Sequence, residues 1–426
     1  MKDLKCFTGW EYLLIDAASK YGLDKLTFEE RIDWATQNLS QLDDAAFIAA
    51  GDPDDSPLYQ KAVMAIRKAQ KGLPTGHLIG LDAVCSGMQV MSVLTGCVAG
   101  ATATGLVDPD VRADAYTSVT AAMNAILQAN GSQAITVSRG DAKDSTMTML
   151  YGSVLVPQSI FGAKTAELAA FYGAVDQVAP GPAALLQDLL NSWNPYAKHH
   201  AWQLPDGYDA YVKVTKETET RIEVDELDHA TFMYHYYKEE GTKKGKSNAA
   251  NLVHAMDAYI LRCMHRRCNY DRQLAEEASR LIQIELIQRA MGKRMPRQAI
   301  VGKFAYYVDQ YFRSTLADIV IVPHLTEVNI GLLTTEHLQG LASILYGMLQ
   351  YQPFPLVTVH DEFRCSPNNA NFMRWQYREI LAEIAESNVL DDLLTQLHNK
   401  GPGTFKRQVS YPSLGSLIRK SNYGIC

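Results

Sequence analysis

The sequence predicts a mixed α+β protein that is mainly helical. Three observations carry this: long stretches with apolar residues at helical spacing, short apolar runs that end on carboxylates, and one segment in which apolar and polar residues alternate. A chain of 426 residues, 47% hydrophobic and 20% charged, exceeds what one core fills, so two or three lobes are expected. No internal repeat or low-complexity tract is evident, which excludes a solenoid or array. There is no apolar run of about 18 residues or more. Met1 to Trp10 also lack a signal-peptide layout, so we expect a cytoplasmic protein with no membrane partner. Seven scattered cysteines do not make a disulfide framework and fit the same reducing compartment.

Residues 1–74 read as helical, with Thr27-Phe28-Glu29-Glu30 forming a capping box ahead of Ile32 and Trp34. His77 to Ala83 is a short apolar strand ending on Asp82, and a helix through Met91 and Leu94 should follow. Further helices are expected from Tyr116 to Gln128 and from Arg139 to about Leu155. Tyr211–Val214 and Arg221–Val224 alternate, which suggests a β-hairpin introduced by the turn Pro205-Asp206-Gly207. A polar loop over Lys243–Asn248 precedes helices at about Ala249–Arg267 and Asp271–Met291. The second carries apolar Leu274, Leu281, Ile284 and Leu286, so it should pack on the core, with partner docking as the alternative. Pro355–Arg364 reads as a buried strand with Asp361 at its tip, before a Ser366-Pro367 turn.

A net charge of −7 argues mildly against nucleic-acid binding, because phosphates are contacted largely by Lys and Arg. Basic clusters do occur at Lys243, Lys244 and Lys246, at Arg262, Arg266 and Arg267, and at Lys293, Arg294 and Arg297. Taken singly, each reads as a solvated run. Cys263, His265 and Cys268 fall on one helix at a spacing wrong for a zinc knuckle, and Cys85 and Cys97 read as packing residues.

Two constellations point to chemistry. If the strands ending at Asp82 and Asp361 lie side by side, their carboxylates could clamp two divalent ions about 3.5–4 Å apart. Hard oxygen ligands of this kind select magnesium. An aspartate at a strand end is more often a cap or turn residue, so spacing alone leaves both readings open. On a helix, Arg139 and Lys143 would be separated by about 40° in azimuth, and Tyr151 would lie about 80° round from Lys143. Two cations aimed together suit a triphosphate, and a tyrosine on the same broad face suits a sugar or base. An exposed Arg/Lys pair beside a core tyrosine is the plainer alternative.

Asp82-Ala83-Val84-Cys85-Ser86-Gly87-Met88-Gln89 resembles motif A of the single-subunit RNA polymerases of phages and mitochondria. Arg139-x3-Lys143-x7-Tyr151-Gly152 is similar to their motif B, and His360-Asp361 to the His-Asp of motif C. Asn251 to Asp257 resembles a segment whose histidine, here His254, lies near the template–product pair. Gly9 to Ile32, Trp202 to Gly207 and Ser416 to Cys426 match other family segments, so the resemblance spans nearly the whole chain.

That resemblance implies a right-hand fold, with a palm holding a small antiparallel sheet and helical fingers. Residues 1–74 would lead into the palm, 75–135 form its first part with motif A, and 136–195 the fingers with motif B. Residues 196–268 would hold a hairpin and the histidine helix, 269–350 an inserted helical region, and 351–426 the rest of the palm with motif C. Asp82 and Asp361 would bind two Mg2+ ions, assisted by the backbone carbonyl of Ala83. Arg139 and Lys143 would hold the incoming ribonucleoside triphosphate, Tyr116 would line the insertion site, and Tyr151, followed by Gly152, would sense the sugar. His254 would approach the newest base pair.

Related DNA polymerases share the motif B layout but carry a glutamate five residues beyond the metal aspartate, where this chain has Gly87 and leaves the space open. Four residues beyond the lysine they carry a phenylalanine, where Met147 stands here. RNA synthesis is therefore favoured; a DNA polymerase, or an inert nucleic-acid-binding subunit, is the alternative. Three departures are notable. The family's Asp-x-x-Gly-Arg motif and its N-terminal promoter domain are absent, as in the large subunit of the two-polypeptide phage RNA polymerases. A small subunit supplying that motif, a recruitment factor and a single-stranded or pre-opened DNA template are the partners so implied, in a host bacterial cytoplasm if the gene is a phage's. Asp144 stands where the phage enzymes have an arginine. Finally, His254 and Asp361 lie 107 residues apart, further than in the full-length enzymes, which points to an insertion between about 269 and 350.

Overall fold

The computed structural model describes residues 3–132, 135–293, 302–401, 403–405 and 414–426. Among these the chain is mainly helical, with small antiparallel sheets. Strand β1 spans Ile79–Asp82, β2 His199–Gln203, β3 Asp209–Lys213, β4 Lys216–Val224, β5 Ala230–Lys238, β6 Val357–Val359 and β7 Glu362–Cys365. They form a three-stranded sheet in the order β1-β7-β6 and two separate hairpins, β2–β3 and β4–β5.

The N-terminal segment is helical as its sequence predicts, and Thr27 and Glu30 close their capping box, each side chain accepting the other's backbone N–H. Thr8 and Glu11 make a second box ahead of the Gly9–Ala18 helix. That helix buries every residue from Tyr12 to Ala18, Asp16 included. A buried carboxylate must be paired: Asp16 lies 2.8 Å from His77 Nε2 and accepts the Gly80 N–H at 3.3 Å. These bonds tie the start of β1 to the first helix.

After β1 the chain enters the helix Ser86–Thr95, buried from Gly87 to Leu94. Such a helix is apolar on all sides and belongs at the centre of a core. The helices Pro180–Asn191, Ser247–Cys268 and Ala370–Glu386 surround it. Its one long polar side chain is satisfied: Gln89 donates to the carbonyls of Thr104 and Gly424 and accepts from the Tyr377 hydroxyl.

A second core lies in the region 269–350, where Ile282, Val308, Ile321, Leu338, Leu341 and Leu345 cluster between the helices Arg272–Ala290, Gly302–Ser314 and Thr335–Leu349. The helix expected to pack on the main core buries Ala275, Ala278 and Ile282 here instead, with Leu274, Leu281 and Leu286 packed alongside. Ile284 is exposed. The two cores meet at Asp318, which accepts from Tyr259 Oη at 2.9 Å and Arg266 Nη2 at 3.0 Å.

Other expectations are corrected. Tyr211–Val214 and Arg221–Val224 do not pair with each other; the Pro205-Asp206-Gly207 turn closes β2–β3, and Arg221–Val224 belongs to β4–β5. Alternation is clear in β2 and β3 but not in the largely exposed β4 and β5, and by itself it does not choose a partner strand. The Arg139 helix ends at Leu150, because Gly152 turns the chain at φ +83°, and a separate helix spans Leu155–Phe161. Pro355–Arg364 is not one buried strand. It is the β6–β7 hairpin with His360 and Asp361 at its turn, and Val357 and Val359 are exposed.

Nor are Arg262, Arg266 and Arg267 a solvated run. Arg262 and Arg266 pair with Asp206 at 2.6 and 3.1 Å, and Arg267 is buried against Glu383. Arg294 and Arg297 of the third cluster lie outside the described residues. No helix among the described residues is long and apolar enough to cross a membrane.

Candidate active site

Strand β1 ends at Asp82, which is paired in register with Glu362 at the start of β7. Asp361 precedes Glu362 in the β6–β7 turn, and its carbonyl accepts the Ala83 N–H at 3.3 Å. Two aspartates from distant parts of the chain are thus neighbours at one sheet edge. Cys85 and His360, close to them in sequence, both take left-handed backbone (φ 55° each), a strained conformation for side chains of this kind. Ala83 bridges to Ile425, so the C-terminal segment also abuts this edge.

The electrostatics of the edge are those of crowded carboxylates. The Asp82 carboxyl opens to the cleft but sits deep in it; the surrounding protein first, then the Asp361 and Glu362 charges, push its pKa up to about 6. Asp257 is pushed up to about 7, by burial first and by Asp361 second, against a hydrogen bond with Ser86 that favours its charged form. Lys20 Nζ, 3.7 Å from Glu362, offsets part of this charge. Asp82 and Asp361 offer the oxygen donors that a hard divalent cation such as Mg2+ takes, and its charge would relieve their mutual repulsion.

Asp257 is an acidic residue of the cleft that the motifs do not mark, although it ends the Asn251–Asp257 segment that contains His254. The available signal was position: three residues apart on a helix, His254 and Asp257 share a face.

The Arg139–Leu150 helix, capped by Ser138, also lines the cleft. Arg139, Lys143 and Met147 recur every fourth residue and all line the cleft, while Ala142, Ser145, Thr146 and Met149 are buried behind them. Lys143 and Met147 are exposed to the cleft. Arg139 Nε donates to Asp114 at 2.7 Å, and its guanidinium carbon lies 5.6 Å from the Tyr116 ring centroid. Tyr116 is hydrogen-bonded to Cys85, and burial, reinforced by Cys85, raises its hydroxyl well above the ordinary range. It stays protonated.

Tyr151 follows the helix as its C-cap rather than continuing it. Its ring lies 4.6 Å from that of His254, and a Cβ at Gly87 would meet its hydroxyl at 3.1 Å. The tyrosine hydroxyl thus borders the space beside Gly87. At Gly152 a Cβ would come within 3.3 Å of Lys246 Cβ. The positive φ together with that approach explains a glycine there.

These residues bound a single cleft of about 1020 Å³. Asp82, Asp361 and Asp257 lie in it together with Arg139, Lys143 and Tyr151. Acid oxygens, cations and aromatic rings lining one cleft can hold a metal-bound polyphosphate and the sugar or base attached to it.

Residues 6–165, which include Asp82, Tyr116, Arg139, Lys143 and Tyr151, match the family of DNA-dependent RNA polymerase. Among curated relatives, the DNA-directed RNA polymerase of Pseudomonas phage phiKMV is 23% identical over 307 residues, covering 59% of this chain and 37% of that protein. The probable DNA-directed RNA polymerase of Neurospora crassa is 32% identical over 158 residues, covering 34% of this chain and 18% of that protein. The chain thus spans well under two thirds of the length of the relatives it matches. The likeness to the DNA-dependent RNA polymerase family is thus anchored in residues 6–165, the segment that carries Asp82, Tyr116, Arg139, Lys143 and Tyr151.

Proposed function

We propose that the chain is the catalytic part of a DNA-directed RNA polymerase, joining ribonucleotides on a DNA template by a two-metal-ion mechanism. The observation that carries this reading is the meeting of Asp82 and Asp361 at one sheet edge, in the same cleft as Arg139 and Lys143. Asp82 and Asp361, with the Ala83 carbonyl, are the residues to hold the ions. When bound, two Mg2+ would activate the primer 3′-hydroxyl and neutralise the departing pyrophosphate. Lys143 and Arg139 donate N–H groups to phosphate oxygens, Tyr116 and Tyr151 bound the nucleotide, and Gly152 lets the chain turn behind Tyr151. Gly87 and Met147 flank the ribose, and His254, packed against Tyr151, faces the newest base pair.

In this reading the β1-β7-β6 sheet is the floor of a palm, assembled from residues 75–135 and 351–426, and the Arg139 helix belongs to fingers at 136–195. The Asp-x-x-Gly-Arg motif does not occur in these 426 residues, and in this reading a small second subunit carries that contact to template and product. A further factor would deliver the enzyme to single-stranded or pre-opened DNA in the cytoplasm.

The test is primer extension with Mg2+ and a mixture of ribo- and deoxynucleotides, with and without copurifying polypeptides. Asp82→Asn and Asp361→Asn should each reduce turnover by about a thousandfold or more. Near-normal turnover in either variant sinks the metal assignment, and preference for deoxynucleotides makes the chain a DNA polymerase instead.

A further inference from the structure

Arg139 is held from one side only. Its Nε donates to Asp114 Oδ2 at 2.7 Å, and among the described residues its Nη groups have no protein partner, although the side chain lines the cleft. Asp114 is itself fixed. Its Oδ1 accepts the Tyr116 N–H at 3.1 Å and the Thr117 N–H at 3.5 Å, and its Oδ2 accepts from the Thr117 hydroxyl at 2.9 Å. One carboxylate therefore caps the helix Ala115–Ala129 and grips the guanidinium that lies over Tyr116.

An arginine is a planar fork whose value in phosphate recognition depends on the direction of its N–H groups. Gripped at Nε, the fork is aimed with its free Nη edge available to an anion. We propose that Asp114 is a positioning residue for the incoming triphosphate, orienting Arg139 and locking it to the Tyr116 wall of the insertion site. This rests on the reading of Arg139 as a phosphate-holding residue.

The proposal makes a prediction of unusual sign. Asp114 brings a negative charge close to where three phosphates would lie, so if it acted only through its field, removing it would tighten anion binding. If it acts by aiming Arg139, removing it weakens binding. Asp114→Ser separates the two, because serine is as good an N-cap as aspartate and keeps the helix start, but is too short to reach Arg139.

The experiment is calorimetric binding of inorganic tripolyphosphate with Mg2+ to the full chain, alongside nucleotide kinetics. For Asp114→Ser we expect tripolyphosphate binding and the nucleotide KM to weaken by about fivefold to tenfold, with kcat changed less. In an Arg139→Met background the same substitution should add little, since the group it orients is gone. Unchanged or tighter tripolyphosphate binding by Asp114→Ser overturns the proposal, as does a wild-type chain that does not bind tripolyphosphate at all. A chain that binds it, loses affinity with Asp114→Ser and yet makes no RNA with its partners overturns the polymerase reading while this one stands.

Discussion

Tyr151 lies between Gly87, which its hydroxyl approaches, and the tilted ring of His254, and a single methyl group tests the first contact. Alanine at position 87 places its Cβ 3.1 Å from the Tyr151 hydroxyl, so the tyrosine must move by a few tenths of an ångström. We expect Gly87→Ala to lower ribonucleotide kcat/KM by about tenfold, a loss of about 1.4 kcal/mol. Tyr151→Phe removes the atom that is struck, so the two substitutions should be less than additive in a double-mutant cycle; strict additivity would show that the contact is irrelevant. Asp82, Arg139, Lys143 and Tyr151 could be found in the sequence because residue type and spacing together carry the signal. Asp114 could not, and Asp257 was marked only by sharing a helix face with His254. A carboxylate on a helix and another at a helix start are commonplace, and their meaning comes only from Asp361 and Arg139, which the fold brings to them.

Among the elements, helix positions were legible and strand partners were not. The Ala115–Ala129, Ser247–Cys268 and Arg272–Ala290 helices fall close to where periodicity puts them, whereas the β2–β3 and β4–β5 pairings depend on which edges meet. One packing contact between helices carries a pH dependence. His337, on Thr335–Leu349, is buried and stacked flat on Tyr311 of Gly302–Ser314, ring centroids 3.7 Å apart. Burial depresses its pKa to about 3 from the ordinary 6.5, so between those values the unfolded chain binds a proton that the folded chain refuses. Its contribution to stability is therefore complete above pH 6.5 and declines as pH falls toward 3. One pH unit below the unfolded value the loss is about 1.4 kcal/mol. Urea unfolding at pH 7.5 and about 5.5 should show that extra loss in the wild type and not in His337→Phe. Equal pH dependence in both would mean that the ring titrates normally in the fold.

At the scale of the whole molecule, the two cores are joined through polar groups as well as apolar contact. Asp318 is buried between Arg266 and Tyr259; burial by itself would raise its pKa, but Arg266, the Val320 N–H, Arg267 and Tyr259 together hold it below the ordinary value. Asp318→Asn keeps the shape and leaves Arg266 short of a counter-charge, so we expect destabilisation of about 3 kcal/mol. Amide exchange should quicken first in the 269–350 region; uniform exchange would mean that the cores are coupled mainly by apolar packing. From amino-acid order alone came the helical character, the chemistry-bearing residue types and the family resemblance, because helix periodicity and short motifs are local properties. The fold alone decided that Asp82 and Asp361 share a sheet edge, that Arg262, Arg266 and Arg267 serve internal ion pairs rather than a surface patch, and that Asp257 and Asp114 join the site. Each of these depends on segments far apart along the chain coming into contact, and the free energy of such contacts is set by burial and charge in three dimensions, which no window of sequence contains.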